Sequence, residues 1–268
     1  MTAFICATCG VQHPDTETPP ERCAICDDER QYPGPDGQLW TTLGELGREH
    51  RNSVREVDAG LVEIHTDPRF GIGQRALLVR TPAGNVLWDC ISLFDDETAA
   101  AVRDAGGLAA VTCSHPHFYA SMVEWALAFD AEILVPEADR EWVMRPDPSI
   151  RLWSGTEEIV SGVTVVQTGG HFEGSAILHW ADGADGRGAI LTGDSITVVT
   201  DHRWVSFMRS YPNAIPLPAP AIAGIVDAVE PWAFDRIYGG WPDADVATDA
   251  KDSVRRSAER YLKWIGAG

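Results

Sequence analysis

The chain has 268 residues, with 40 acidic side chains against 21 basic ones and a net charge of −19. At 44% apolar and 23% charged residues it is globular in composition and long enough to bury a core without disulfides. No apolar run reaches the roughly 20 residues that span a bilayer. A surface this negative also repels phosphate backbones and anionic lipid, so a small molecule is the expected partner, with no nucleic acid and no membrane.

The first residues show neither the basic start nor the apolar stretch of a secretory signal, which makes the cytoplasm the expected compartment. Cys6, Cys9, Cys23 and Cys26 crowd the first tenth of the chain, while Cys90 and Cys113 stand alone in apolar stretches and read as buried, inert thiols. A turn-rich link, Pro33 to Gly37, closes a module over residues 1–38. Residues 39–59 read as a connector, with Leu43, Leu46 and Val54 at helix-like spacing. Residues 60–268 form the second domain. Strands are expected at 61–65, 76–79 and 86–91, then a helix over 95–104 capped by Asp95 and stopped by Gly106. A buried strand at 108–113, a helix at 121–129, a strand at 133–135 and a helix at 137–143 follow. A second run of strands covers 163–167, 175–180, 189–191 and 197–199, with a hairpin tip from Ala181. A proline-stiffened loop leads to a helix ending near Val229, a strand at 236–238 and a last helix at 247–265. Two clusters of strands, each followed by helices, predict two sheets packed together under outer helices.

The N-terminal module holds two Cys-x-x-Cys pairs separated by thirteen residues. In a reducing compartment these four thiolates read as a tetrahedral metal site rather than as disulfides. With Pro19, Pro20 and Glu21 before the second pair, the segment resembles the short rubredoxin-like module of rubrerythrins, and zinc ribbons share its spacing. Zinc there would be structural and iron would suggest electron transfer; the residues fit both. Seven acids against Arg22 and Arg30 argue against a nucleic-acid-binding ribbon.

Three histidines sit where strands run out into loops. His115 and His117 follow a strand in T-C-S-H-P-H-F-Y-A, His171 lies in T-G-G-H-F-E-G-S, and Asp194 in L-T-G-D-S. On extended chain His115 and His117 would point the same way, toward one cation. In order, spacing and flanking residues this set resembles the metallo-β-lactamase fold family. The resemblance implies a four-layer αβ/βα sandwich following the small four-cysteine knuckle. It also implies a first metal site at His115, His117 and His171, with Asp194 as a fourth ligand or as the partner of a bound water. Three family positions differ. Tyr119 replaces the motif aspartate, Ala120 its third histidine, and Gly240 or Trp241 the final histidine. One zinc or iron is therefore expected in the sandwich, not two.

The expected chemistry is that of a metal-dependent hydrolase, in which a metal-bound hydroxide attacks a small ester, thioester or lactone. Asp194 is left to position the water, and Tyr119 either donates to a developing oxyanion or fills the space of the lost metal. Phe118, Phe172, Trp204, Phe207, Met208 and Tyr211 are candidates for an apolar cleft wall, and Arg203 and Arg209 for a carboxylate contact. Two other functions stay open: an iron redox protein, and a non-catalytic member of the fold that binds a metal or ligand.

Overall fold

The computed structural model describes residues 1–267. In the N-terminal module, strands β1 (Thr2–Cys6) and β2 (Gln12–Thr16) pair antiparallel, and a single turn, α1 (Ala24–Asp27), carries the second cysteine pair. Strand β3 (Trp40–Thr41) joins β1 on its free side, so the module's sheet extends past residue 38. The stretch read as a helix-spaced connector is helical only over α2 (Leu43–Glu49), whose first turn is capped by Thr42. It then becomes β4 (Arg51–Asp58). That strand hides in the sequence because it is a charged edge strand, exposed along much of its length and lacking apolar alternation.

The first sandwich sheet runs in chain order from β4 through β5 (Leu61–Asp67), β6 (Arg75–Val79) and β7 (Val86–Trp88), all antiparallel. Helix α3 (Asp96–Asp104) then carries the chain over to parallel β8 (Ala110–Thr112), and α4 (Met122–Phe129) to β9 (Glu132–Pro136). A 3₁₀ turn at Glu137–Trp142 stands where a regular helix was expected, and β10 (Ile150–Trp153) closes the edge. The second sheet starts with β11 (Thr156–Val160), β12 (Val163–Gln167) and β13 (Ala176–Trp180). A short turn, α5 (Gly183–Gly186), leads to β14 (Ala189–Leu191). Two small ribbons follow, β15 (Thr197–Val198) with β16 (Val205–Ser206), and β17 (Met208–Ser210) with β18 (Ile215–Pro216). Helix α6 (Ala219–Val229) returns the chain to β19 (Arg236–Tyr238), parallel to β14. Then β20 (Asp245–Val246) and helix α7 (Ala250–Trp264) end the fold.

Three apolar layers hold this stack. Between the sheets, Leu77, Val79, Val86 and Trp88 meet Val165, Leu178, Leu191 and Tyr238. Outside the first sheet, Val111 and Ile133 pack on Val102 of α3 and Val123 and Trp125 of α4. Outside the second, Ile177, Ile190 and Ile237 pack on Ile222 of α6 and Val254 of α7. The order helix, sheet, sheet, helix is the expected four-layer sandwich. Cys90 and Cys113 are buried in the outer layer of the first sheet, as their apolar surroundings suggested.

A charged cluster ties the two sheets at one edge. Arg75 on β6 is 1% exposed and donates to Glu63 on β5 at 2.7 Å, to Asp245 on β20 and to the carbonyl of Gly239 at 3.0 Å. Burial pushes the Glu63 carboxyl up, but Arg75 and Arg55 outweigh it and hold it below the usual glutamate range. A carboxyl held low contributes stability that is complete above its unfolded value of about 4.3 and is lost as the pH falls through the folded one. Glu63→Gln, which removes one of the two carboxylates paired with the buried Arg75, is expected to cost about 1.5–3 kcal/mol at pH 7. Urea midpoints measured from pH 7 down to pH 3 should show the gap between the two proteins closing below about pH 4.

Candidate metal centre

In the knuckle all four cysteines are buried and converge in pairs, with Cys6 Sγ 3.6 Å from Cys26 Sγ and Cys9 Sγ 3.7 Å from Cys23 Sγ. All four sulfurs lie within 4.8 Å of one another, a set compact enough to surround one ion. Gln38 buttresses the set, donating to Cys6 Sγ at 3.2 Å while its carbonyl oxygen accepts from Cys23 N at 3.2 Å.

The second cluster assembles from strand ends of both sheets. After β8 the chain passes through Ser114 into a 3₁₀ turn at Pro116–Phe118, which brings in His115 and His117. The loop after β12 brings His171, and the loop after β14 brings Asp194. His115 Nε2 lies 3.5 Å and His171 Nε2 3.7 Å from Asp194 Oδ2, and His171 Nε2 lies 3.4 Å from His117 Nδ1. The two motif histidines do not share an extended chain as expected. The turn rotates His117 so that it presents Nδ1 to the set while His115 presents Nε2.

The surroundings prepare these atoms for a cation. His171 Nδ1–H donates to the carbonyl of Met208 at 3.0 Å, leaving Nε2 with a lone pair. His115 Nδ1 lies 2.9 Å from Ser114 Oγ, which directs its own Nε2 inward; that buried nitrogen has no hydrogen-bond partner. Ser114 is held in turn by Asp89, whose carboxylate accepts from Ser114 N at 2.7 Å. Burial keeps His115 and His117 neutral, well below the usual imidazole range, and lowers His171 to about 4. Burial likewise pushes Asp89 up to about 8 and Asp194 up to about 7. Gly193, at φ +51°, is required for the approach of the two loops, since a Cβ there would lie 2.1 Å from Ser114 Oγ. Three neutral imidazoles and one carboxylate around an orphaned nitrogen fit a divalent cation.

The positions that differ from the two-metal pattern contribute no donor. Tyr119 is 1% exposed and packs in the outer core with Met122, Val123 and Trp125; its hydroxyl has no partner and does not line the cleft. Its candidate oxyanion contact is therefore corrected to a space-filling role. Ala120 turns its carbonyl to the knuckle, accepting from Gln12 N at 3.1 Å. Trp241 lines the cleft, but its indole N–H donates to the carbonyl of Ile72 at 3.2 Å.

A cavity of about 190 Å³ opens over His117, His171 and Asp194. Of the aromatic and apolar candidates, Tyr211 lines it; Phe118, Phe172 and Phe207 are buried, and Trp204 packs beneath Arg256 and Arg260. Met208 reaches the site through its backbone alone. The arginine candidates are already paired, Arg203 with Asp201 and Arg209 with Glu29. His202 lies with Arg203 and Asp245 at a separate hollow.

Sequence reading missed one wall of the cleft, which comes from the knuckle's Arg30 and Gln31. Arg30 is 3% exposed, donates from Nε to the carbonyl of His171 at 2.6 Å and sits 4.2 Å above the Phe172 ring. No motif marks Arg30, and the only trace of Asp89 was an acid inside an apolar run.

This architecture is the metallo-β-lactamase fold. The chain aligns with VMB-1 at TM-score 0.58 and 12% identity, over 80% of this chain and 98% of that one. Against the metallo-β-lactamase SMB-1 in complex with mercaptoacetic acid the score is 0.55 at 17% identity, covering 80% and 95%. A B3 metallo-β-lactamase with an active-site glutamic acid gives 0.55 at 15% identity, covering 80% and 88%. At these identities the likeness is one of fold. No family model matches the chain. The uncharacterized protein YmaE of Bacillus subtilis (strain 168) is 47% identical over 270 residues, covering all of this chain and 98% of that protein, and the chain belongs to its family.

Elemental analysis of the purified protein is expected to find two ions per chain, with Cys23→Ser and His117→Ala each removing a different one. A second ion in the sandwich would contradict the donor count. Tyr119→Phe, which deletes a buried hydroxyl without a partner, is expected to leave both ions bound and to keep or raise the melting temperature.

Proposed function

We propose that the protein is a metal-dependent hydrolase of a small carbonyl compound, an ester, thioester or lactone, with one zinc or iron at the histidine cluster and a structural zinc in the knuckle. Iron fits the four thiolates as well. The observation that carries this reading is the convergence of His115, His117, His171 and Asp194, the last three of which line a cleft. Three neutral protein donors leave a catalytic ion an open position. When bound, such an ion polarises a carbonyl and acidifies water to a pKa near 7.

The chain's own residues would do the rest. His115, His117 and His171 hold the ion, each imidazole fixed by packing or by a partner on its other nitrogen. Asp194 Oδ2 faces the histidines while Oδ1 accepts from Thr197 Oγ1 at 3.3 Å, so the inner oxygen is free to ligate or to take the proton of an attacking water. Tyr211 donates to the backbone carbonyls of Asp194 and Ser206 at 3.2 and 3.3 Å, which steadies the Asp194 loop and presents its ring to the cleft. Ile72, Pro212 and Trp241 add apolar surface suited to a compact substrate.

A panel of small esters, thioesters and lactones, assayed with zinc- and iron-loaded protein, tests the reading. His117→Ala should abolish metal at the cluster and turnover together. Asp194→Asn should keep much of the metal but slow turnover by about 100-fold or more, because an amide cannot take the proton. Equal turnover in wild type and His117→Ala would place any activity elsewhere.

A further inference from the structure

The mouth of the cleft carries an arginine that nothing in the fold neutralises. Two arginines line the cavity. Arg30 is buried and spent: it pairs with Asp28 at 2.9 Å and Glu173 at 3.2 Å, and it holds the His171 carbonyl. Arg69, on the loop between β5 and β6, is exposed and has no carboxylate within ion-pair distance among the described residues. Its one hydrogen bond in the fold runs from Nη2 to the carbonyl of Ile72, the same oxygen that Trp241 holds.

That placement is built. Gly73, at φ +75°, lies directly under the side chain: a Cβ there would stand 2.1 Å from Arg69 Nε and 2.5 Å from its Cγ and Cδ. The guanidinium is thus laid across a glycine and tethered at one nitrogen, with its remaining N–H groups directed to no protein acceptor. On a chain of net charge −19, a cation left unpaired beside a metal-type cluster is a local reversal of sign. A guanidinium presents paired N–H donors that match a carboxylate.

We propose, resting on the hydrolase reading above, that the substrate is a small carboxylate-bearing ester or thioester, gripped by Arg69 at the rim while its second carbonyl faces the histidines. A cavity of about 190 Å³ limits the substrate to a compact molecule with the two groups a few atoms apart. Water adds to the carbonyl carbon, the bond to the alcohol or thiol breaks, and the products are a dicarboxylate and that leaving group.

The test pairs monomethyl succinate with methyl butyrate, similar in length but differing in the distal carboxylate, on wild type, Arg69→Gln and Arg69→Lys. Succinate binding is measured in parallel by calorimetry. Wild type should favour the anionic ester in kcat/KM. Arg69→Gln should raise KM for that ester about tenfold or more, the scale of a lost charged hydrogen bond, and leave methyl butyrate unchanged. Arg69→Lys should restore part of the preference. Succinate affinity should fall by a similar factor in Arg69→Gln. If neither ester turns over but Arg69→Gln still weakens succinate, the carboxylate site stands and the hydrolase reading falls. If the preference and the succinate affinity are unchanged by Arg69→Gln, the proposal is overturned.

Discussion

Leu77, Val79, Val86 and Trp88 of one sheet press against Val165, Leu178, Leu191 and Tyr238 of the other, and the meeting of His115 and His117 with His171 and Asp194 follows from that contact. The histidine cluster has no local origin, because His115 and His117 ride on the first sheet while His171 and Asp194 ride on the second. Packed sheets stand about 10 Å apart, so loops leaving the ends of facing strands meet in the middle with room for one ion. The Glu63, Arg75 and Asp245 cluster pins the sheets at one edge and fixes their relative slide.

The knuckle is not an independent appendage. It is seated on the sandwich by backbone contacts, with Gly10 accepting from Ser92 Oγ at 2.8 Å and Ser210 Oγ donating to the Arg30 carbonyl at 2.9 Å. Through Arg30 its stability is shared with the His171 loop, and through Gln31 it supplies cleft surface. Where a two-metal site would need a histidine, Ala120 instead offers its carbonyl to the knuckle. The turn that carries His117 is thus followed directly by a docking point for the knuckle.

Much of the sandwich was legible because its interior strands and outer helices obey simple periods. Strands β5, β6, β12, β13 and β14 are short apolar runs between turn residues. Helices α3 and α6 begin at a capping aspartate and a proline respectively, and α3 stops before glycine. The elements that escaped lie at edges. Strands β4 and β11 are rich in charge and half exposed, and β10 follows an irregular loop, so alternation is weak in each. Of the two readings of Tyr119 the structure takes the space-filling one, which position alone does not decide because it does not show which way a turn points a ring. Arg203 and Arg209 take no part in the cleft, because each finds an acid nearby in space.

Ligand chemistry is legible in the chain alone. Spacing of thiols, imidazoles and one carboxylate at strand ends is a local property, and coordination depends on donor type and number before it depends on anything else. Folding sets the rest: which nitrogen of each histidine faces the cluster, the support of Asp89 through Ser114, the cleft wall supplied by the knuckle, and the unpaired Arg69 at its mouth. Those features depend on which loops meet in space, and contacts such as Asp89 with Ser114, 25 positions apart, or Arg30 with His171, 141 apart, leave no period in the chain to read.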